Sequence, residues 1–521
     1  MKRLITLIMV AVLTTAAMAT DYTDRLVINI NGVQTSSQQA TITVEQQTDG
    51  RYSLSLKNFV LNQGGQTMGI GNIILNDVYA TTLNGVTTLW SNQNVNITDG
   101  DDPSVAVWTG KYLGPVPVNM MAQIRGSKLY TVIDITLATQ TVKVIFGNGG
   151  FQINNSDFEA FHTATISSPD GANQATSDEP NAWHSFMSAS GDAALAFLAG
   201  YNPHTFISSL VRPGSLGTKS VLLTSLDMTF VVANGTMTTG RINTGAMLAT
   251  DKSNHAWLDM DSIGVDGNGD PFYATMNGHP DSLSVWVKFK QGTPTAAHPY
   301  ATINAVITDG TYYQDPEDKT YSNVVAKATD NTIESKNFAW QKITIPFDYE
   351  SYKANNASTK AILVTVSTNA DAGQGSTDSL YVDDLTLIYN CKLNSLRIHG
   401  KEVEGFDKNI YSYNVDYPGN MDINDFDADT DGKGSVYTKS LEASADGMKA
   451  SIIVTSGDFA STSVYTVNVK GATSGISNVD DTSAKVEGIY NLNGQRVNAM
   501  NKKGVYILKM SSGKTFKRLQ K

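Results

Sequence analysis

Short runs in which apolar and polar residues alternate, broken by Gly, Asn and Asp, restrict this chain more than any other feature. Tyr52, Leu54 and Leu56 alternate with Ser53, Ser55 and Lys57; Leu129, Thr131, Ile133, Ile135 and Leu137 share one phase; Leu283, Val285, Val287 and Phe289 share another. A period of two sends successive side chains to opposite faces of a strand and cannot supply the continuous stripe a helix needs. Asp49-Gly50 and Gly126-Ser127 separate consecutive runs as two-residue hairpin signals. From Thr20 to about Asn154 roughly ten such runs follow one another without a helical pattern, the spacing of an up-and-down barrel or sandwich. The alternation continues downstream, so the expected fold class is all-β.

At 521 residues the chain exceeds a single core. Residues 1–19 begin with Lys2 and Arg3, continue through LITLIMVAVL and end in Ala17-Met18-Ala19. That three-part order reads as a cleaved signal peptide with a mature start at Thr20. The apolar run is shorter than the ~20 residues of a spanning helix, so no membrane span is expected. Cys391 is the only cysteine, and an exported chain with one thiol closes no internal disulfide. The formal net charge of −11 opposes nucleic-acid and anionic-membrane partners, which require basic stripes, and suits neutral glycans and calcium.

Phrases in a fixed order carry four resemblances. RLVINING, GQTMGIGNIILNDV and VKVIFGNGGF, within residues 20–153, resemble the calycin-like β-barrel domain of exported Bacteroidetes proteins. Calycin barrels often hold a small ligand, and Trp90, Trp108 and Tyr79 are positioned either to line such a cavity or to fill a core. DFEAF, AWHSF, RPGSLGTKSVLLTS, HPDSLSVWVKFK, WQKITIPFDY and YVDDLTLIYN, within 154–390, resemble a carbohydrate metabolism domain of Bacteroidetes, a jelly roll similar to carbohydrate-binding modules. Residues 391–471 resemble a small immunoglobulin-like or cadherin-like sandwich. After a linker at 472–487, residues 488–521, with IYNLNGQRV, KGVYILK and KTFKRLQK, resemble the C-terminal sorting domain of the type IX secretion system. Together they imply a protein secreted or held on the outer surface of a Gram-negative bacterium, with the secretion machinery as a partner.

Two groups of residues are site candidates. Asp383 and Asp384 lie in an apolar strand, where alternation turns one aspartate to solvent or a cation meets it. The jelly-roll resemblance implies a structural Ca²⁺ held by an early Glu and a late Asp, here Glu159 and Asp383. In DSLSVWVKFK, Trp286 shares the phase of Ser284 and Lys288 rather than that of the aliphatic residues, and Trp340 has the phase of Lys342 and Thr344. An indole on a polar sheet face suits stacking on a sugar ring beside hydrogen-bonding groups, unless a second layer covers it. The carbohydrate-binding candidates are therefore Trp286, Trp340, Lys288 and Ser284, with a glycan or polysaccharide as ligand.

No catalytic residues are assigned. The seven histidines are dispersed without an H-E-x-x-H pair, and the sequence around Ser215 lacks the G-x-S-x-G spacing. DGNGD at 266–270 and DADTDG at 427–432 lack the twelfth-position carboxylate of a calcium loop and read as solvated acidic turns. Cys391 reads as a small buried residue. The expected function is noncatalytic glycan binding, with a jelly-roll hydrolase or lyase, or a structural or adhesive surface protein, as alternatives.

Overall fold

The computed structural model describes residues 19–474 apart from 32, 35–36, 64–65, 84, 138–139, 230, 295 and 375–376, and then 486–491, 496–497, 504–510 and 515–520. Residues 1–18 of the expected signal peptide, most of the linker, and the turn signals Asn493-Gly494 and Ser512-Gly513 lie outside the described residues. The fold is all-β, as the alternation predicts. No helix among the described residues is long and apolar enough to cross a membrane.

Eight antiparallel strands from Ala19–Ile30 to Thr141–Phe146 pair in chain order, and the last closes on the first through Leu26↔Phe146, Val27↔Ile145 and Ile28↔Val144. The inward phase of each strand, including Leu26, Ile42, Leu54, Leu89, Val118 and Phe146, forms one core. Gly126-Ser127 makes the expected two-residue turn, with Arg125 paired to Lys128 and Gly126 at φ 55°. The Asp49-Gly50 signal lies in a longer loop that Gln47 and Arg51 close.

A two-sheet sandwich follows. One sheet runs in the order Thr205–Ser208, Ser220–Thr224, Ser379–Ile388, Ser282–Lys290, Gln341–Pro346. The facing sheet contains Thr236–Thr238, Ala361–Ser367, Ala301–Thr308 and Val324–Ile333. Between them Leu283, Val285, Val287 and Phe289 meet Ile303, Ala305, Ile362 and Val364 in a dry core. The segment DAALAFLAGY, for which no helix is expected, forms the α-helix Ala193–Tyr201, capped by Asp192 Oδ1, which accepts from the N–H groups of Ala194 and Leu195 at 3.0 Å.

The chain divides into two compact units whose limits differ from the expected domains. The first joins the barrel and the sandwich and includes 429–437 and 453–463. Tyr130 and Val132, on the outward face of a barrel strand, are buried in the sandwich core with Phe151 and Ile153. Tyr130 Oη also donates to the carbonyl of Asp458 at 2.6 Å. Residues 153 and 154 therefore mark no break in packing. The second unit holds 395–428, 438–452 and 464–521. Its core includes Tyr413, Phe426, Ile452, Tyr465 and Val467, and its C-terminal part is an antiparallel sheet of Arg496–Val497, Val486–Asn491, Gly504–Met510 and Thr515–Gln520. Cys391 is half-buried, with Sγ 3.5 Å from Ser463 Oγ, rather than fully buried as expected.

Candidate functional site

The sandwich carries a groove of about 440 Å³ on the outer face of the sheet containing 301–308 and 361–367. In Ala301–Thr308 the residues Ala301, Ile303, Ala305 and Ile307 turn inward, which leaves Thr302 and Asn304 on the other face. Thr365 and Ser367 have the same outward phase in their strand and stand opposite Asn304 and Thr302. Thr236 extends the strip, its hydroxyl 3.2 Å from that of Ser367, and Thr302 Oγ1 bonds Asn331 Oδ1. The groove floor is thus a ladder of hydroxyl and amide groups, of which Asn304 Oδ1 and Thr365 Oγ1 have no hydrogen-bond partner.

Aliphatic residues form the opposing wall: Leu195 and Leu198 from the capped helix, with Met228, Val231 and Met247 from loops. Asp315 is the one carboxylate among the lining residues. Burial pushes its pKa up, opposed by the Asn304 amide, which donates at 3.3 Å, and by Lys327. His255 at the rim is bracketed by the Lys252 carbonyl at 2.9 Å and Tyr312 Oη at 3.3 Å; burial lowers its pKa. These groups can hydrogen-bond a ligand with many hydroxyls while the wall covers an apolar face. The sequence carries a signal for this strip, a pair of polar residues two apart in each of two otherwise apolar strands.

The expected carbohydrate-binding residues lie on the outer face of the other sheet. Trp286 has the predicted phase and is half-buried, opposite Asp383 and Lys342, with the Arg212 guanidinium 5.5 Å from its ring centre. Lys288 Nζ stands 4.2 Å from the centre of the Phe338 ring. Trp340 immediately precedes its strand, makes a T-shaped contact with Tyr381 at 6.4 Å, and has no partner for its Nε1–H. Ser284 corrects the expectation of a surface donor. It is 3% exposed with an unpartnered hydroxyl, because a small side chain between the cross-strand neighbours Thr344 and Thr386 is shielded from solvent.

Asp383 and Asp384 sit at a β-bulge, where the register shifts between Ser284 and Trp286 and Asp384 takes φ 43°. The extra residue breaks the alternation, so neither aspartate simply points to solvent. Asp383 is fully buried: its Oδ2 accepts the Arg212 N–H at 2.8 Å, and its Oδ1 has no partner. Burial and the neighbouring Asp384 push its pKa up to about 6. Asp384 pairs with the Arg212 side chain at 2.5 Å. The opening segment does reach the closing strand, since Leu385 N–H donates to the Ser156 carbonyl at 2.8 Å.

Glu159 meets the same loop, residues 209–219, at its far end. Both of its oxygens accept from Thr218 N–H, at 3.0 and 3.1 Å, and Oε1 also from Lys219 N–H at 2.9 Å. Backbone donors therefore occupy both carboxylate oxygens of Glu159. Glu159 is thus held at one end of this loop and Asp383 at the other, through Arg212.

The barrel encloses a second cavity of about 450 Å³, lined by aliphatic residues such as Ile28, Leu54, Leu75, Val118 and Ile133. Tyr79 and Trp90 do not line it. They stack on one another outside the barrel, 5.9 Å apart and 49% and 40% exposed, because their phase is the outward one. Trp108 is buried but is not part of the cavity wall.

No curated protein matches the sequence significantly. Among solved structures, the mosquito-larvicidal Cry4Aa toxin from Bacillus thuringiensis aligns at 9% identity and a TM-score of 0.18, over 71% of this chain and 52% of the toxin chain, so the match spans about half the toxin. SGBP-B, from a complex xyloglucan utilization locus in Bacteroides uniformis, aligns at 11% identity and a TM-score of 0.17, over 64% of this chain and 78% of that one. A bifunctional GH43-CE protein from Bacteroides eggerthii aligns at 11% identity and a TM-score of 0.15, over 74% and 55%. Likenesses at such scores carry neither fold nor function. Residues 18–149 match the family of the calycin-like beta-barrel domain, in agreement with the closed barrel.

Proposed function

We propose that this chain is a noncatalytic glycan-binding protein, exported or displayed at the cell surface, that captures carbohydrate in the groove over the outer face of the 301–308 and 361–367 strands. The observation that carries this reading is a strip of hydroxyl and amide side chains beside an aliphatic wall in one groove of ligand size. A pyranose presents that pairing of hydroxyls and an apolar face. The half-buried Trp286 and Trp340, with Lys288, offer a second contact surface on the opposite sheet. Glycoside hydrolysis by the usual route uses two carboxylates, and Asp315 is the one that lines the groove, which favours binding over cleavage. The leader-like start and the sorting-like end support export, with the type IX machinery as a partner.

Retention on a polysaccharide panel, combined with an assay for new reducing ends, tests the reading. The intact chain is expected to be retained without releasing ends. Asn304→Ala and Thr365→Val are expected to weaken retention roughly tenfold, the loss of one net hydrogen bond of about 1.5 kcal/mol, with little change in melting temperature in Thr365→Val and a lower one in Asn304→Ala, which takes a donor from buried Asp315. New reducing ends would establish the enzyme instead. Retention unchanged in both variants and lost in Trp286→Ala would move the site to the other sheet. Amino-terminal sequencing that finds Met1 would overturn the leader, and unchanged surface exposure after deletion of 488–521 would overturn the sorting role.

A further inference from the structure

His162, His184 and the DGNGD turn, expected to be a solvated acidic turn, converge in the sandwich. His162 lies on Phe161–Ser167 and Glu179 on Gln174–Pro180, where the two residues pair directly across a hairpin. His184 follows, anchored by two backbone hydrogen bonds to Thr238. Asp266 opens the DGNGD turn, but its side chain is 2% exposed, and Glu179 and His184 are wholly buried.

The unpartnered atoms at this point are Glu179 Oε2, His184 Nδ1 and Asp266 Oδ2. Those three side chains bring ligand atoms within 4.8 Å of one another. His184 Nδ1 is 3.5 Å from Asp266 Oδ2, and His162 Nε2 is 3.4 Å from Asp266 Oδ2 and 3.7 Å from Glu179 Oε2. A tetrahedral ion with bonds of ~2.0–2.1 Å has ligand–ligand edges of ~3.3 Å, close to these three separations, while Glu179 and His184 lie within 4.8 Å of each other.

The remaining atom of each side chain is already committed to the protein. Glu179 Oε1 accepts from Ser185 N–H at 2.6 Å and from Ser185 Oγ at 2.5 Å. Asp266 Oδ1 accepts from Asn268 and Asp270 N–H at 2.9 and 2.8 Å. His184 Nε2 faces the Pro271 carbonyl at 3.2 Å, and a carbonyl only accepts, so the proton sits on Nε2 and Nδ1 presents a lone pair. His162 Nδ1 meets Asn181 Oδ1 at 3.1 Å, which orients its Nε2 toward Asp266 and Glu179. Ligand-bearing atoms thus converge in two groups that share Asp266, one with Glu179 and His184 and one with His162 and Asp270, each side chain oriented by an outer hydrogen bond of the kind that fixes metal ligands. Asp270, near His162 and Asp266, has its Oδ2 held by Ala182 N–H at 2.9 Å and completes the surround.

We propose that His162, Glu179, His184 and Asp266 form a divalent transition-metal site, with Zn²⁺ as the ion that best suits two imidazole and two carboxylate donors. Nearly closed to solvent, it ties the 161–180 hairpin, the 183–186 segment and the 265–271 turn together in a chain with one cysteine. The role is structural.

Equilibrium dialysis of the chelator-stripped, full-length mature protein against Zn²⁺, read by elemental analysis, tests it. The expected result is stoichiometric zinc in the intact chain and in Asp383→Asn, and zinc near background in Asp266→Asn and Glu179→Gln. Should those variants fail to fold, imidazole ¹⁵N spectra of the intact chain decide. Zinc is expected to shift His162 Nε2 and His184 Nδ1 while leaving His279 and His298 unmoved. The proposal is overturned if the intact chain takes up no stoichiometric zinc, if folded Asp266→Asn and Glu179→Gln bind it undiminished, or if zinc leaves both imidazoles unshifted.

Discussion

Asp383 stands in a strand between Val382 and the bulge, fully buried, with one oxygen bonded to Arg212 N–H and the other bare. Burial raises its pKa from 3.8 to about 6, so the folded state holds this proton more tightly than the unfolded chain does. The sign follows: the stability that Asp383 contributes is fully present below about pH 4, is lost as pH rises through about 6, and is gone above, a loss on the order of 3 kcal/mol. Asp383→Asn keeps an acceptor for Arg212 and removes the charge. Urea titrations at several pH values are expected to show it more stable than the parent at pH 8, with the slope between pH 4 and 6 reduced. A calcium ion at Asp383 would give the reverse, with Asp383→Asn less stable and the chelator effect abolished. Under the zinc proposal, chelator sensitivity is lost in Asp266→Asn and kept in Asp383→Asn. Trp286 is a smaller case of the same dependence on surroundings. Its phase was legible in the sequence, but the Arg212 guanidinium over its ring was not. Removal of that contact in Trp286→Ala is expected to contribute about 1 kcal/mol of lost stability beyond the area term, measured by thermal melting against Arg212→Ala.

The loop at 209–219 joins Thr205–Ser208 to Ser220–Thr224 and folds over the bulge. One end reaches Asp383 and Asp384 through Arg212; the other holds Glu159 through Thr218 and Lys219. Gly217 makes the second contact possible, because a Cβ there would overlap Glu159 Oε1. Gly217→Ala is expected to cost about 1–3 kcal/mol, by displacing a carboxylate from its backbone donors, and to leave the barrel's near-ultraviolet spectrum unchanged. Denaturant unfolding checks it, and a loss below 0.5 kcal/mol, roughly the scatter of ordinary surface substitutions, would refute it. The same scale explains where alternation misleads. In Lys128–Thr136 the inward phase includes Leu129 and Ile133, as expected, yet Tyr130 and Val132 are buried as well. A strand covered on both faces has no polar side, and period alone cannot reveal which neighbour covers the second face.

At the scale of the molecule, barrel and sandwich share a core through Tyr130, Val132, Phe151 and Ile153. Gln152 also exchanges two hydrogen bonds with the backbone of Leu387, at 2.7 and 2.9 Å, and Tyr389 Oη donates to the Phe151 carbonyl at 2.7 Å. The two are therefore expected to unfold in one cooperative calorimetric transition, and two well-separated transitions would contradict it. Tyr130→Phe, which deprives the Asp458 carbonyl of its donor, is expected to lower stability by about 1 kcal/mol and to keep that single transition.

What the sequence determined by itself was local. Side-chain alternation specifies strands and their inward faces, Gly126-Ser127 specifies a turn, and the order of barrel strands follows from hairpins between chain neighbours. Even the polar strip of the groove was present as Thr302, Asn304, Thr365 and Ser367 in one phase. Tertiary structure decided whatever depends on residues distant along the chain. It set Ser284 inside rather than at the surface, turned Tyr79 and Trp90 away from the cavity, and directed Glu159 to backbone donors. It also brought His162, Glu179, His184 and Asp266 together across 104 residues. The physical reason is that a side chain's hydrogen-bond partners, dielectric and cover come from neighbours in space. In a sandwich of crossing strands those neighbours lie far apart in sequence, where no period records them.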